Sequence, residues 1–499
     1  MIEQPKQMAI ASPIYDVIII GSGMASLSAA CMLAHRLKLR VLILEQNFLP
    51  GGCTSAYPRK GYVFESGATT LVGLDEGMAL KYLLQETGIE IKAWPLELGM
   101  QVHQGQHQIN RYSTLNQWIE EVQKYFPHPK QADFWTLAQN ISQKVWQTSL
   151  QQLSFPPTSF ADLWRCVQEV SMSQISLLPY LFRTTADLLR KFELYEVPGF
   201  KNFVNEQLLI TAQNHAEEVN ALFGCTALCY TLQKNFYVEG GLINLVKPFV
   251  RFLEEANGQI VYRQKVLSIH KSSENYTLTT DKGQTYSARI VLSGIPLNNT
   301  LPLLKFENSY TKRLSSYLLE SSELVGAFQM GVGFENFRDY DSIHHQIHLS
   351  QPLPLIGSKS IFLSLSHPQD FSRTRAENHR VASVSTHIHD PAKFMDLDKS
   401  PIEAAILDEL DRRQLITAAH IRYVHSSGPS SWEHWTQRAH GSVGGYPQLK
   451  RIKPWQMKDA RLDGEGLYIC GDSTYPGQGI PGVTLSGLIA FQKIKQDHF

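Results

Sequence analysis

The stretch Tyr15–Glu45, YDVIIIGSGMASLSAACMLAHRLKLRVLILE, has the pattern of a strand, a glycine turn, a helix and a second strand. Asp16–Ile20 is a β-branched run that stops at Gly21-Ser22-Gly23-Met24-Ala25-Ser26, a buried strand entering a glycine turn. Leu27, Ala30, Leu33, Ala34 and Leu37 follow at helical spacing, and a second strand, Arg40–Leu44, ends in Glu45. Strand, glycine turn, helix, strand and acid form a dinucleotide-binding βαβ unit. Gly21 permits the tight turn, Gly23 lets backbone N–H groups reach a pyrophosphate, and the helix N-terminus supplies positive potential. Glu45, 19 residues beyond Ser26, is placed to accept hydrogen bonds from a ribose. Ser26 departs from the glycine or alanine usual where helix and strand pack closely, so modest strain is expected, not loss of binding.

Two blocks further out narrow the nucleotide to FAD. Pro50-Gly51-Gly52-Cys53-Thr54-Ser55 follows Glu45 closely, and Gly61–Ala68 follows that. Adjacent Gly51 and Gly52 let the backbone lie flat against a phosphate or a flavin ring. Near the other end, Gly466-Leu467-Tyr468-Ile469-Cys470-Gly471-Asp472 is a strand ending in an acid, followed by a loop with Gly477, Gly479, Gly482 and Val483 and a helix from about Thr484. Asp472 is expected to bond the ribityl chain, and the helix N-terminus to stabilise negative charge on a reduced flavin.

The chain has 499 residues, 46 Lys+Arg against 46 Asp+Glu, and 43% apolar residues. This neutrality argues against a nucleic-acid partner, which calls for a cationic surplus. Six scattered cysteines with no CxxC pair fit a reducing compartment, and the sequons at Asn140, Asn275 and Asn298 are read as unmodified. No signal peptide is read in the first fifteen residues, and no run approaches a membrane span.

Leu242, Leu245, Val246, Phe249, Phe252, Leu253 and Ala256 repeat at helical spacing before Gly258, and small strands follow at 260–262, 265–269, 276–280 and 288–292. The expected organisation is therefore α/β: a discontinuous Rossmann-like FAD-binding domain from 1–72, 235–300 and 440–499, with an inserted α+β substrate domain from 73–234 and 301–439. The first insertion reads as mostly helical, with Trp94, Trp118, Trp135, Trp146 and Trp164 mainly in its core and some free to line an apolar tunnel. The run 175–182 is too short to span a bilayer but suits a lid or an entrance lying on its surface. Histidines at 344, 345, 348, 387 and 389 read as ordinary surface or loop residues, not as metal ligands, and Cys225 and Cys229 read as buried apolar residues. Gly331-Val332-Gly333 lacks the rest of a second nucleotide fingerprint, which favours quinone or oxygen over NAD(P)H as the flavin's redox partner.

Together GSGMAS (21–26), LEQNFLPGGCTSAYPRKGYVFESGA (44–68), the stretch 238–269 and LYICGDSTYPGQGIPGVTLSGL (467–488) resemble the phytoene-desaturase superfamily of carotenoid desaturases, carotenoid isomerases and retinol saturases. The resemblance implies that Gly21, Gly23, Glu45, Gly51, Gly52, Val266, Gly471, Asp472, Gly479 and Gly482 line FAD, Val266 through its backbone on the adenine side. GATTLVGLDEG (67–77), SFADLWRC (159–166) and 177–221 look most like bacterial desaturases that act near one end of a carotenoid. The expectation is a cytoplasmic, peripherally membrane-associated carotenoid desaturase, with hydride removal to the flavin and no mandatory catalytic side chain. The alternatives are a carotenoid cis–trans isomerase using reduced flavin, a retinol-saturase-type reductase, and a non-catalytic prenyl-lipid escort.

Overall fold

The structure, a computed structural model, describes residues 15–499; the reading of the N-terminus as free of a signal peptide falls largely outside them. The opening unit folds as β1 (Tyr15–Ile20), α1 (Met24–Leu37) and β2 (Val41–Leu44). β1 lies between β2 and the strand Thr285–Ser293, parallel to both, with Val17 opposite Val41 and Ile290. Gln259–Val261 extends the sheet beyond β2; Leu467–Ile469, Tyr276–Thr280 and Val266–Lys271 extend it on the other side, to seven strands. A helix apolar all round belongs in an interior, and α1 is buried at every residue from Met24 to Ala34. It packs against the C-terminal helix so closely that a Cβ on Gly487 would stand 2.3 Å from the Ala25 carbonyl oxygen.

That C-terminal helix runs from Ile480 to His498, four residues earlier than the expected start at Thr484. Pro481, read as loop in the sequence, sits in the first turn, where its missing N–H costs nothing and its φ is already helical.

A second seven-stranded sheet runs, in spatial order, Ile421–Ser427, Val325–Glu335, His379–His389, Ser360–Leu365, His344–His348, Leu98–Gln104 and His107–Tyr112. The last two come from the insertion 73–234, which is mostly helical as expected but also contributes this hairpin to complete the sheet. Their alternation is disguised because Gln101, His103 and Arg111 occupy buried positions. The guanidinium of Arg111 stacks over Trp118 at 4.3 Å. His344 and His345 also differ from expectation: both are buried in a strand, where desolvation pushes His344 down to about 3 and keeps it neutral. Gly331 and Gly333 sit in the strand Val325–Glu335, where a Cβ would strike the rings of Phe64 and Tyr62.

Of the five tryptophans in the first insertion, Trp118 and Trp135 are core and Trp164 is exposed. Cys225 and Cys229 are buried in the same helical core. Among the described residues no helix is long and apolar enough to cross a membrane.

Candidate functional site

The loop after β2 returns to the glycine turn. Gly51 N–H donates to the Ser22 carbonyl at 3.0 Å, and Gly23 and Gly51 form a parallel bridge. Beside them lies a cavity of about 780 Å³, within the roughly 300–1,000 Å³ typical of small-molecule sites. Gly21, Gly23, Glu45, Gly51, Gly52, Val266, Gly471, Asp472 and Val483 all line it.

Several features of this cavity fit a dinucleotide. A Cβ on Gly23 or Gly471 would meet no protein atom within 4 Å, so these glycines keep clear the space beside them, not room for a neighbouring side chain. α1 begins at Gly23 with no side chain capping its first turn, which leaves backbone N–H groups for an anion. Gln264 Oε1 and Trp432 Nε1, both on the cavity wall, are buried without a hydrogen-bond partner. The Glu45 carboxylate accepts from the Ser22 N–H at 2.8 Å, the Ser22 hydroxyl at 2.6 Å and the Asn47 N–H at 2.8 Å, which fixes its orientation. Those bonds orient the acid for a ribose while leaving it lone pairs. Glu45→Ala is expected to weaken FAD binding about tenfold or more, the worth of a charged hydrogen bond, with the fold intact. Flavin retention and circular dichroism measured on one sample check this, and unchanged retention refutes the ribose role.

The other expected residues divide. Gly479 and Gly482 line a second cavity, of about 470 Å³. Ser26 lines neither: it is buried against Gly294, where a Cβ would stand 1.8 Å from its hydroxyl oxygen. A glycine opposite the serine thus replaces the small residue expected in the motif. Asp472 is not free for a ribityl chain alone, since Arg438 Nη2 donates to its carboxylate at 2.7 Å.

Cys53, Thr54, Gln329, Trp432, Asp472 and Val483 line both cavities and so mark the seam where they meet. Arg438 and Trp432 went unread in the sequence, because no local pattern ties residues 432–438 to the glycine turn. The second cavity is walled by Met78, Trp146, Ile210, Phe223, Phe362 and Leu485, with polar groups including His387. Burial pushes His387 down to about 4, so it is neutral near pH 7. Asp472, held by Arg438, is the one carboxylate among the lining residues. Pro454 is part of this wall, and the next residue, Trp455, packs edge-on against exposed Phe182 at 5.4 Å. Ahead of Phe182 in the chain, the helix Phe160–Gln168 exposes Phe160, Leu163, Trp164 and Val167, spaced along one face.

The sequence matches the family described as flavin-containing amine oxidoreductase over residues 24–494. It is 24% identical to the chloroplastic prolycopene isomerase of Arabidopsis thaliana over 97% of this chain and 83% of that protein. It is 25% identical to all-trans-retinol 13,14-reductase of Danio rerio over 58% of this chain and 49% of that protein. The fold superposes on cyclohexylamine oxidase of Brevibacterium oxydans with a TM-score of 0.61 and 14% identity, covering 97% of this chain and 98% of that one. The glycine turn, the second glycine loop folded onto it and a family match across nearly the whole length agree: the chain belongs to the flavin-containing amine oxidoreductase family, as an FAD-dependent oxidoreductase.

Proposed function

We propose that this enzyme acts on the conjugated chain of a carotenoid-type polyene, taken up from a lipid surface. The observation that carries this reading is the charge of the second cavity: its one carboxylate, Asp472, is already paired with Arg438. An ammonium ion would find no free counter-charge there, whereas an apolar chain finds aliphatic and aromatic residues, among them Met78, Trp146, Ile210, Phe223, Phe362 and Leu485. Bound FAD supplies a hydride acceptor and donor. The chain's own residues exclude water, hold the polyene against the seam at Trp432 and Val483, and keep Asp472 oriented through Arg438. The helix starting at Ile480 has no side-chain cap and aims its positive end at the same seam.

Rearrangement of existing double bonds, that is cis–trans isomerisation, is supported by the likeness to prolycopene isomerase over 97% of the chain. Desaturation is the second reading, supported by the local likenesses at 67–77, 159–166 and 177–221. The two differ in balance: desaturation removes two hydrogens and needs quinone or oxygen as final acceptor, whereas isomerisation leaves the hydrogen count unchanged. An anaerobic mixing experiment separates both from amine oxidation. Cyclohexylamine is expected to leave the visible absorbance of the oxidised flavin unchanged, and bleaching by the amine would overturn the reading.

Lipid docking is proposed for the apolar stripe of Phe160, Leu163 and Trp164 and for the exposed pair Phe182 and Trp455, with Lys450 and Lys453 near Trp455 in the chain to meet anionic headgroups. Burying a Leu or Phe side chain is worth about 1.5–3 kcal/mol. The double substitution Phe160→Asp, Leu163→Asp is therefore expected to cut binding to anionic liposomes by at least about tenfold in flotation. Unchanged flotation would remove this face from the account.

A further inference from the structure

We infer that the second cavity holds a subsite for one substrate hydroxyl, formed by Gln213 with Gln478 and Thr211, so that the polyene it takes is an alcohol and not a pure hydrocarbon. The inference rests on the reading of this cavity as the polyene site. Gln213 follows the helix Phe200–Ala212 and is only 4% exposed. Its amide N–H donates to the Val443 carbonyl at 2.7 Å, which fixes the amide's orientation and leaves Oε1 as the free atom. That oxygen is buried and has no partner. Gln478 Nε2 and Thr211 Oγ1 are likewise buried without partners, and all three residues line the same cavity.

Gly444 brings the two amides together. A Cβ at this position would stand 2.1 Å from Gln213 Nε2 and 2.6 Å from Gln478 Oε1, so both side chains use space that only glycine leaves. The next residue, Gly445, packs on the Asp472 turn, where a Cβ would stand 2.2 Å from the Asp472 carbonyl oxygen. The subsite is thus built on a wall tied to the seam between the cavities.

A buried polar atom left without a partner is costly, and a hydrocarbon cannot supply one. The free groups are an acceptor at Gln213, a donor at Gln478 and a hydroxyl at Thr211. A hydroxyl, which donates and accepts at once, suits both kinds of free group: it can donate to Gln213 Oε1 or accept from Gln478 Nε2. A carbonyl accepts only and would leave Gln213 Oε1 unmet. A site built to bond a hydroxyl rejects the analogue that lacks it, because the site's own groups then stay unpaired.

The test uses FAD-loaded protein in detergent, with quenching of tryptophan fluorescence as the readout, since Trp146 and Trp432 line the cavity. The probes are all-trans-retinol and its deoxy hydrocarbon, in which CH2OH is replaced by CH3. The alcohol is expected to bind about tenfold tighter than the hydrocarbon. In Gln213→Met this ratio falls to about one with the hydrocarbon's affinity little changed, and in Thr211→Val, which leaves the Val443 contact alone, the ratio falls part of the way. Equal affinities in the unmodified protein, or a ratio that survives both substitutions, would overturn the subsite while sparing the polyene reading. Quenching by neither compound would overturn the polyene reading and the subsite with it.

Discussion

Gly51→Ala yields a folded protein that loses FAD on gel filtration, with affinity reduced by about two orders of magnitude, equivalent to about 3 kcal/mol. Gly51 has φ +100, and a Cβ there would lie 2.4 Å from the Thr54 carbonyl oxygen and 2.9 Å from Val246 Cγ2. Neither neighbour can yield: the Thr54 oxygen is backbone and Val246 is fully buried in the core. The loop must shift, and its bond to Ser22 and its bridge to Gly23 go with it. Strain of this kind costs about 1–3 kcal/mol before the clash is added. Gly52→Ala is the graded control, because its Cβ would meet only Gly23 Cα at 3.7 Å and would bring mainly the strain of φ +56. The flavin-to-protein absorbance ratio after gel filtration reads both variants. Full retention by Gly51→Ala would mean that this loop does not cradle the cofactor.

Asp162→Asn lowers stability by about 3–5 kcal/mol, the cost of stripping a buried ion pair of one partner. Asp162 is completely buried within the cap of the helix that exposes Phe160 and Leu163. Its carboxylate accepts from Arg461 at 2.6 Å and from Lys493 at 2.8 Å, and Lys493 is itself fully buried on the C-terminal helix. Burial raises the Asp162 pKa, but hydrogen bonds and charge from Arg461 and Lys493 outweigh it and hold the carboxyl well below the usual carboxylate range. Its contribution is therefore complete above its unfolded pKa of about 4 and is lost only as pH falls far below that. The substitution leaves the Lys493 ammonium, already disfavoured by burial, without its counter-charge. Thermal unfolding shows the loss, and limited proteolysis is expected to cut first near 158–168, where the helix is released. Asp162→Asn combined with Lys493→Met recovers much of the stability. A single variant as stable as the unmodified protein would contradict the assigned role of this network.

Much of the wall of the first cavity is legible in the sequence because its parts are local. The turn at Gly21–Gly23, the acid at Glu45 and the pair Gly51-Gly52 sit within one βαβ unit and its exit loop, where spacing alone fixes their relation. The walls supplied from a distance are not legible in this way. Arg438 and Trp432 reach the seam only because the chain returns there after residue 400, and nothing in their neighbours announces it. The hairpin at Leu98–Tyr112 is hidden for another reason: Gln101, His103 and Arg111 fill interior positions, so polarity no longer marks the outer face. His344 and His345 mislead similarly, since histidines kept neutral by burial look like surface residues in a sequence. Ser26 shows the opposite case, in which an apparent defect in the motif is resolved by Gly294, a residue far along the chain.

FAD-loaded protein, reduced beforehand and kept anaerobic, is incubated with liposomes carrying a cis-configured carotenoid alcohol, and the products are resolved by chromatography with visible spectra. Isomers are expected to redistribute while the number of conjugated double bonds stays constant, and oxidised protein without an acceptor is expected to leave them unchanged. Polyene recovered unchanged from both reduced and oxidised protein, with flavin demonstrably bound, would contradict the polyene reading.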